Sequence, residues 1–126
     1  MARVMAVCME VMDRPWQWGA ADCCTAACDV FLRLHGVDPM EPLRGRYSTR
    51  LGAMRLIAQE GGFLAMGARL AARAGLAEVS GAPGDIGVVR DGLGRLALGI
   101  RTESGWVGKT ERGFATVPGA VRAWHA

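Results

Sequence analysis

The first apolar pattern of the chain has the period of a helix. Its members recur three or four residues apart: Val4, Cys8, Val11 and Met12. This spacing predicts an opening helix over residues 3–12. Glu10 interrupts the apolar run, and no small-residue cleavage site follows it. The segment is therefore interpreted as a helix of the mature domain and not as a signal peptide.

A more strongly patterned helix follows the segment PWQWGA. Its apolar stripe has the spacing i, i+4, i+7, i+8 and i+11 and consists of Cys23, Ala27, Val30, Phe31 and Leu34. Asp22 stands directly before the stripe and is a good N-cap, because its carboxylate can accept from the free N–H groups of the first turn. Gly36 supplies the C-terminal stop. These signals predict a helix that begins after Asp22.

Two shorter helices are predicted after a loop that contains two prolines. Ser48 or Thr49 can cap the first of them, and residues 61–62, both glycine, end it. Its apolar positions are Leu51, Met54, Ile57 and Ala58. The second helix runs from about residue 63 to residue 74, and Gly75 closes it.

From Pro83 onward, short β-prone runs replace the helical spacing. The runs DIGVV, RLALGIR, GWVGKT and FATVP are separated by the turn sequences RDGLG, TES and ERG. Turn residues at this spacing predict an antiparallel meander of three or four strands. Helices first and strands second indicate an α+β domain, with the N-terminal helices packed on one face of the C-terminal meander. Residues 1–126 are predicted to form a single domain.

Composition and charge narrow the class of protein. Hydrophobic residues make up 51% of the 126 residues and charged residues 21%, which is typical of a globular domain. No apolar run approaches the roughly 20 residues that span a bilayer, so no membrane span is expected. The net charge is only +3, and the basic residues are spread along the chain, with Lys109 as the single lysine. This distribution argues against a nucleic-acid partner.

The four cysteines all lie in the first quarter of the chain, at Cys8, Cys23, Cys24 and Cys28. Adjacent helical residues do not face each other, so a disulfide framework is not expected and the thiols are interpreted as reduced. Cys24 and Cys28 have the i, i+4 spacing of two metal ligands. Because no second Cys or His pair accompanies them, they are interpreted as packing residues, and no metal or cofactor is expected.

Five motifs in order resemble the NlpC-type cell-wall cysteine peptidases, which have a papain-like fold. They are PWQWGAADCC, LRGRY, PGDIGVV, ALGI and the closing AW. The set resembles most closely a small phage-encoded branch of that fold, which is found among tail genes. The resemblance extends over nearly the whole chain. It implies that Cys23 occupies the position of the nucleophile.

Helix physics permits that role, since a thiol in a first turn lies in the positive field of unpaired N–H groups. Asp22 opposes it, because a nearby carboxylate disfavours a second negative charge. The resemblance places the catalytic histidine at the position of Ala97. His35 lies twelve residues after Cys23, about 18 Å along one helix, and hydrogen-bond reach is about 3 Å. His125 is penultimate, and the family does not take its base from there, so the catalytic pair is incomplete.

Six other residues are candidates for a cleft or an interface: Trp16, Trp18, Asp22, Arg44, Arg46 and Tyr47. The tryptophans would line a peptidase cleft beside Cys23, or serve as core or contact anchors in a structural protein. The two arginines would bind a carboxylate or a neighbouring subunit, or lie in a solvated loop with the tyrosine packed inward. Asp85, in PGDIG, is either a functional carboxylate or a residue that shapes the turn before a strand. Cys23 itself is either a reactive thiol or a small packing residue.

The leading hypothesis is a structural or assembly protein at the tail tip of a phage or phage-derived particle. Its partners would be other tail or hub proteins, and it would be made in the bacterial cytoplasm. The alternative is a cell-wall cysteine peptidase that acts on cell-wall peptide with Cys23 as nucleophile. Its base would come from a partner chain, from His125 or from an atypical group. A third hypothesis is a module that binds a peptide or glycan without cleaving it.

Overall fold

A computed structural model describes residues 2–126 of the chain. Its four α-helices are α1 (Arg3–Met12), α2 (Cys23–His35), α3 (Arg50–Gln59) and α4 (Phe63–Arg73). A 3₁₀ turn at Glu41–Leu43 interrupts the loop between α2 and α3. The four predicted helices are confirmed, and Gly36 closes α2 in the left-handed conformation, with φ of 74°. Within residues 2–126, no helix combines the length and the apolar character needed to cross a bilayer.

The C-terminal half forms one antiparallel sheet. Its strands are β1 (Ala77–Val79), β2 (Ile86–Arg90), β3 (Leu96–Thr102), β4 (Gly105–Lys109), β5 (Phe114–Thr116) and β6 (Ala120–His125). Their order is β1-β6-β2-β3-β4-β5. The predicted α+β class and the meander β2 to β5 are confirmed. The predicted number of strands, three or four, was too low, because the sheet has six. The sequence analysis missed β1, whose three residues are all exposed, and β6, which returns to pair between β1 and β2.

The core lies between the helices and one face of the sheet. Helix α2 is central, and its buried Val30 and Phe31 belong to the same cluster as Leu98 and Ile100 of β3. Helix α4 approaches the sheet closely at Gly67, where a Cβ atom would lie 2.9 Å from Val88 Cγ2. The buried surface of α2 extends beyond the predicted apolar stripe, because α1 packs against a second side of the helix.

Helix α3 packs against the protein with a different face from the one that its apolar residues suggest. Its buried residues are Ala53 and Leu56, while Leu51 is 59% and Met54 53% exposed. Thr49 caps the helix, since its hydroxyl oxygen accepts a hydrogen bond from the backbone N–H of Gly52. The cap confirms where α3 begins, and the packing leaves an apolar stripe on its outer face.

Candidate functional site

The first turn of α2 is built around the carboxylate of Asp22. This side chain is 1% exposed, and its Oδ1 accepts from the backbone N–H groups of Cys24 at 3.0 Å and Thr25 at 2.9 Å. Thr25 completes a capping box, because its hydroxyl oxygen accepts from the Asp22 backbone N–H at 2.9 Å. The predicted N-cap is confirmed. These hydrogen bonds fix the backbone of the first turn, which includes Cys23, the residue between Asp22 and Cys24.

The other carboxylate oxygen of Asp22 ties two loops to the helix. Oδ2 accepts from the backbone N–H of Gly19 at 2.8 Å and from the hydroxyl of Tyr47 at 2.6 Å. Burial raises the pKa of Tyr47 well above its ordinary value, so its hydroxyl remains a donor. Both oxygens of Asp22 are thus saturated by hydrogen bonds within the chain, and Asp22 is a positioning residue.

Cys23 is the first residue of α2 and is half-buried. Its Sγ lies 3.8 Å from the Sγ of Cys24, which is 6% exposed. The hydrogen bond to Cys23, followed by burial, raises the pKa of Cys24 well above its ordinary value. Cys24 therefore stays protonated, and its thiol shares a hydrogen bond with that of Cys23. Of the four free thiols, only Cys23 has appreciable access to solvent.

A small apolar cavity adjoins the two thiols. Its volume is about 40 Å³, and it is lined by Trp18, Asp22, Cys23, Cys24, Met40, Tyr47, Ala53, Leu56, Ile57, Phe63 and Met66. Trp18 and Tyr47 therefore lie beside Cys23. The cavity has room for only a small group, and its lining offers no charged side chain besides the saturated Asp22.

Ala97 lies on β3 in a cluster of buried residues with Val89, Trp106 and Ala123. Cys23 packs against this cluster. The position that the resemblance assigns to the catalytic histidine is therefore in the neighbourhood of the thiol. It carries a methyl group there, 9% exposed, and no titratable atom.

Both histidines of the chain lie at the opposite end of α2. His35 is the last residue of that helix, about 18 Å from Cys23 at the rise of an α-helix. Its Nε2 is 2.8 Å from the carbonyl oxygen of Gly84. His125 packs against it with ring centroids 5.9 Å apart, and its Nδ1 is hydrogen-bonded to the carboxylate of Asp85. Neither imidazole reaches the thiol.

Asp85 is 2% exposed, and its second carboxylate oxygen accepts from the backbone N–H of Ala82 at 2.7 Å. The predicted turn-shaping role is confirmed. The sequence analysis missed that the same carboxylate holds the penultimate residue. Because His125 is part of β6, which was itself missed, no local signal brought the two residues together.

The segment before Asp22 is held by contacts from the sheet. The rings of Trp16 and Trp18 meet edge to face with centroids 5.1 Å apart. The backbone N–H of Trp16 donates to the carbonyl of Glu111 at 2.6 Å. Lys109, the only lysine, is 7% exposed and donates to the carbonyls of Arg14, Thr110 and Gly113. Burial lowers the pKa of Lys109, which the sequence analysis did not single out.

The two arginines of LRGRY have different surroundings. Arg44 is engaged within the chain: it donates to Asp38 at 2.7 Å and to Asp29 at 2.7 Å. The carboxylate partners that were one of the expectations for Arg44 are therefore two side chains of the same chain, Asp29 and Asp38. Arg46 is exposed and forms no ion pair within residues 2–126. Only Arg46 remains available to a partner.

Comparison with known proteins adds one match. A family model described as a domain of unknown function, DUF6950, matches residues 1–126. The chain belongs to the DUF6950 family. No curated protein and no solved structure matches it.

We expect iodoacetamide at pH 8 to label the native DUF6950 domain at Cys23 alone. Burial raises the pKa of Cys8 to about 12 and raises that of Cys28 strongly, while the hydrogen bond to Cys23 and burial raise the pKa of Cys24 well above its ordinary value. Those three thiols contain almost no thiolate at this pH, and they are inaccessible as well. Mass spectrometry of tryptic peptides measures the labelling, with the urea-unfolded protein as the control in which all four react. Equal labelling of the native thiols would contradict the geometry.

The same buried thiols make stability depend on alkaline pH. A thiol whose pKa is raised on folding contributes stability that is complete below its unfolded pKa and is lost as the pH rises toward the folded pKa. For Cys8, this window extends from about pH 9 to about pH 12. We expect the free energy of unfolding to fall above pH 9, by roughly 1 kcal/mol per pH unit from Cys8, because the unfolded chain loses that thiol proton there while the folded chain keeps it. Urea titrations at pH 8, 9 and 10 measure it, and Cys8→Ala should reduce the slope.

Proposed function

We propose that this chain is a structural or assembly protein of a phage or phage-derived tail tip, and that it does not hydrolyse peptide bonds. It would keep the arrangement of a cysteine-peptidase nucleophile without the base. The observation that carries the proposal is the position of the histidines, both of which lie at the far end of α2 from Cys23. Its partners would be other tail or hub proteins.

The groups around Cys23 do not replace the missing base. A base must lie within hydrogen-bond reach of the thiol and hold a free lone pair near neutral pH. Both oxygens of Asp22 are already occupied by donors of the chain. The Tyr47 hydroxyl donates to that carboxylate, and Cys24 is a protonated thiol. Among the described neighbours of Cys23, therefore, none takes up its proton.

Purified peptidoglycan tests the proposal against the peptidase alternative. Wild-type protein and Cys23→Ser are incubated with it, and soluble muropeptides are quantified by liquid chromatography. We expect both proteins to release no more than buffer does. Release by the wild type that Cys23→Ser abolishes would overturn the proposal, and release that persists in Cys23→Ser would indicate a contaminant.

The peptidase ancestry has its own support in the position of Ala97, which belongs to the cluster that Cys23 packs against. Ala97→His would place an imidazole near the thiol. An adjacent imidazolium stabilises the thiolate, and lowering a thiol pKa by one unit raises its thiolate fraction about tenfold. We expect Cys23 to be alkylated about tenfold faster at pH 6.5 in this variant.

The control for that variant is Ala97→Gln, which adds similar bulk without a basic nitrogen. Circular dichroism checks that both variants fold. An unchanged alkylation rate in a folded Ala97→His protein would show that position 97 is not the counterpart of the family histidine. The non-cleaving peptide or glycan module stays a prediction that no particular contact favours.

A further inference from the structure

The outer face of α3 carries an apolar stripe with the spacing of a helix seam. Leu51 is 59% and Met54 53% exposed, and Ala58 is exposed as well. They stand at i, i+3 and i+7, which are positions a, d and a of a heptad. The opposite face of α3, at Ala53 and Leu56, packs against the rest of the protein. The stripe is thus an unoccupied surface on a firmly held helix.

Two arginines flank the stripe. Arg50 directly precedes Leu51 and Arg55 directly follows Met54, so they occupy positions g and e, whose charges select the partner in paired helices. Both side chains are exposed, and neither forms an ion pair within the described part of the chain. Residues 42–59 contain four arginines and no Asp or Glu. The surface is therefore apolar along its middle and positive along both sides.

We propose that α3 docks an acidic amphipathic helix of a partner protein. The partner would place apolar residues on Leu51, Met54 and Ala58, and Glu or Asp side chains opposite Arg50 and Arg55. This inference rests on the assembly role proposed above and names the chemistry of the partner. Helix α3 has ten residues, about 15 Å, so the contact is small and the affinity modest when it acts alone.

Charge and composition favour an acidic helix over other occupants. A second copy of this chain would bring Arg50 and Arg55 against the same two arginines, and like charges across a helix pair repel. A nucleic acid would be bound through phosphates, which gives the exposed Leu51 and Met54 no role. A membrane surface is usually met by a longer amphipathic helix with lysine and arginine on a separate polar face. Arg and Met, in contrast, are enriched at protein interfaces, and Lys is depleted.

The test uses a 21-residue helical peptide with Leu at positions a and d and Glu at e and g. Fluorescence anisotropy measures its binding to the full chain. We expect saturable binding of this Glu peptide. A peptide with Lys at e and g should bind at least tenfold more weakly, and a peptide with Ser at a and d should not bind. In Arg50→Glu/Arg55→Glu, the preference should reverse toward the Lys peptide.

Matched control variants are available elsewhere on the surface. Arg112→Glu changes an exposed arginine in the turn before β5, and Leu93→Ser changes a leucine that is 77% exposed in the turn between β2 and β3. Both should bind the Glu peptide like the wild type, while Leu51→Ser/Met54→Ser should lose binding. Since all substituted side chains are exposed, circular dichroism should show unchanged folding.

Several results would overturn the inference. They are equal binding of the Glu and Lys peptides, binding that Arg50→Glu/Arg55→Glu leaves unchanged, and self-association of the chain through Leu51 and Met54. Tighter α3-dependent binding of anionic vesicles or of duplex DNA would also overturn it. The assembly role is tested separately by the presence of the chain in purified particles. Loss of peptide binding with normal incorporation would therefore reject only the docking inference.

Discussion

Asp22→Ala should lower the free energy of unfolding by about 4 kcal/mol. The lost N-cap contributes about 1–2 kcal/mol. The buried donors that are left unpaired contribute about 1–3 kcal/mol. The carboxylate is 1% exposed and joins the first turn of α2 to Gly19 and Tyr47. An alanine methyl accepts none of these hydrogen bonds, and no solvent replaces them. Urea unfolding followed by tryptophan fluorescence measures the effect.

Asp22→Asn is the matched control, because it has the same size and keeps one side-chain oxygen for the N–H groups of Cys24 and Thr25. We expect it to lose less than half as much stability as Asp22→Ala. Tyr47→Phe removes a single donor and should cost about 1 kcal/mol. Equal stability of Asp22→Ala and the wild type would mean that the carboxylate does not organise this corner.

Gly19→Ala is expected to be about as damaging, for a steric reason. Gly19 has φ of +85°, and a Cβ atom there would lie 2.3 Å from the carbonyl oxygen of Tyr47. The left-handed backbone alone costs an L-residue roughly 1–2 kcal/mol. The clash is with backbone and cannot be relieved by a side-chain rotation. The loop must move away from Tyr47, and the hydrogen bond from Gly19 to Asp22 breaks with it.

Gly45→Ala separates the two causes. Gly45 has φ of +78°, but no atom lies within 4 Å of the Cβ position. It should therefore lose only the conformational cost of about 1 kcal/mol, against about 3 kcal/mol or more for Gly19→Ala. We also expect Gly19→Ala to make Cys24 reactive toward iodoacetamide, since the displaced loop includes Trp18, which lines the cavity. Equal losses in the two variants would show that Gly19 does not pack closely on Tyr47.

The features that the sequence predicted are those with a local signal. An acidic cap, an apolar stripe and a closing glycine all lie within α2 or next to it, and the helix begins and ends where they indicate. The meander β2 to β5 was predicted for the same reason, because each strand is followed by its own turn. The position of Cys23 at the start of α2 could be predicted from these local signals alone.

The remaining features depend on contacts between distant residues. The hydrogen bond from Tyr47 to Asp22 joins residues 25 apart, and the bond from His125 to Asp85 joins residues 40 apart. Neither pair has a spacing that periodicity can detect. The partner of Arg44 was left open between a carboxylate, a neighbouring subunit and solvent, because the sequence does not show that Asp29 and Asp38 lie beside it. The orientation of α3 was likewise set by tertiary packing.

The exposed stripe of α3 and the cavity beside Cys23 lie on two faces of the same helix, α3. Ala53 and Leu56 line the cavity beside Cys23, while Leu51 and Met54 face solvent. In the proposed assembly role, the corner contributes rigidity and the outer face contributes the contact. A fold does not determine function. Assembly and hydrolysis are therefore distinguished by whether the Cys23 thiol is required for the function of the protein.

The most direct measurement is therefore made on particles that carry Cys23→Ser. Under the proposed function the chain is encoded by a phage or prophage, and the substitution would be introduced there. Purified particles are then compared with the wild type for copies of the chain per particle and for infectious units per particle. We predict that both quantities are unchanged. Normal incorporation with a large loss of infectivity would show that the thiol acts chemically, and would contradict the account.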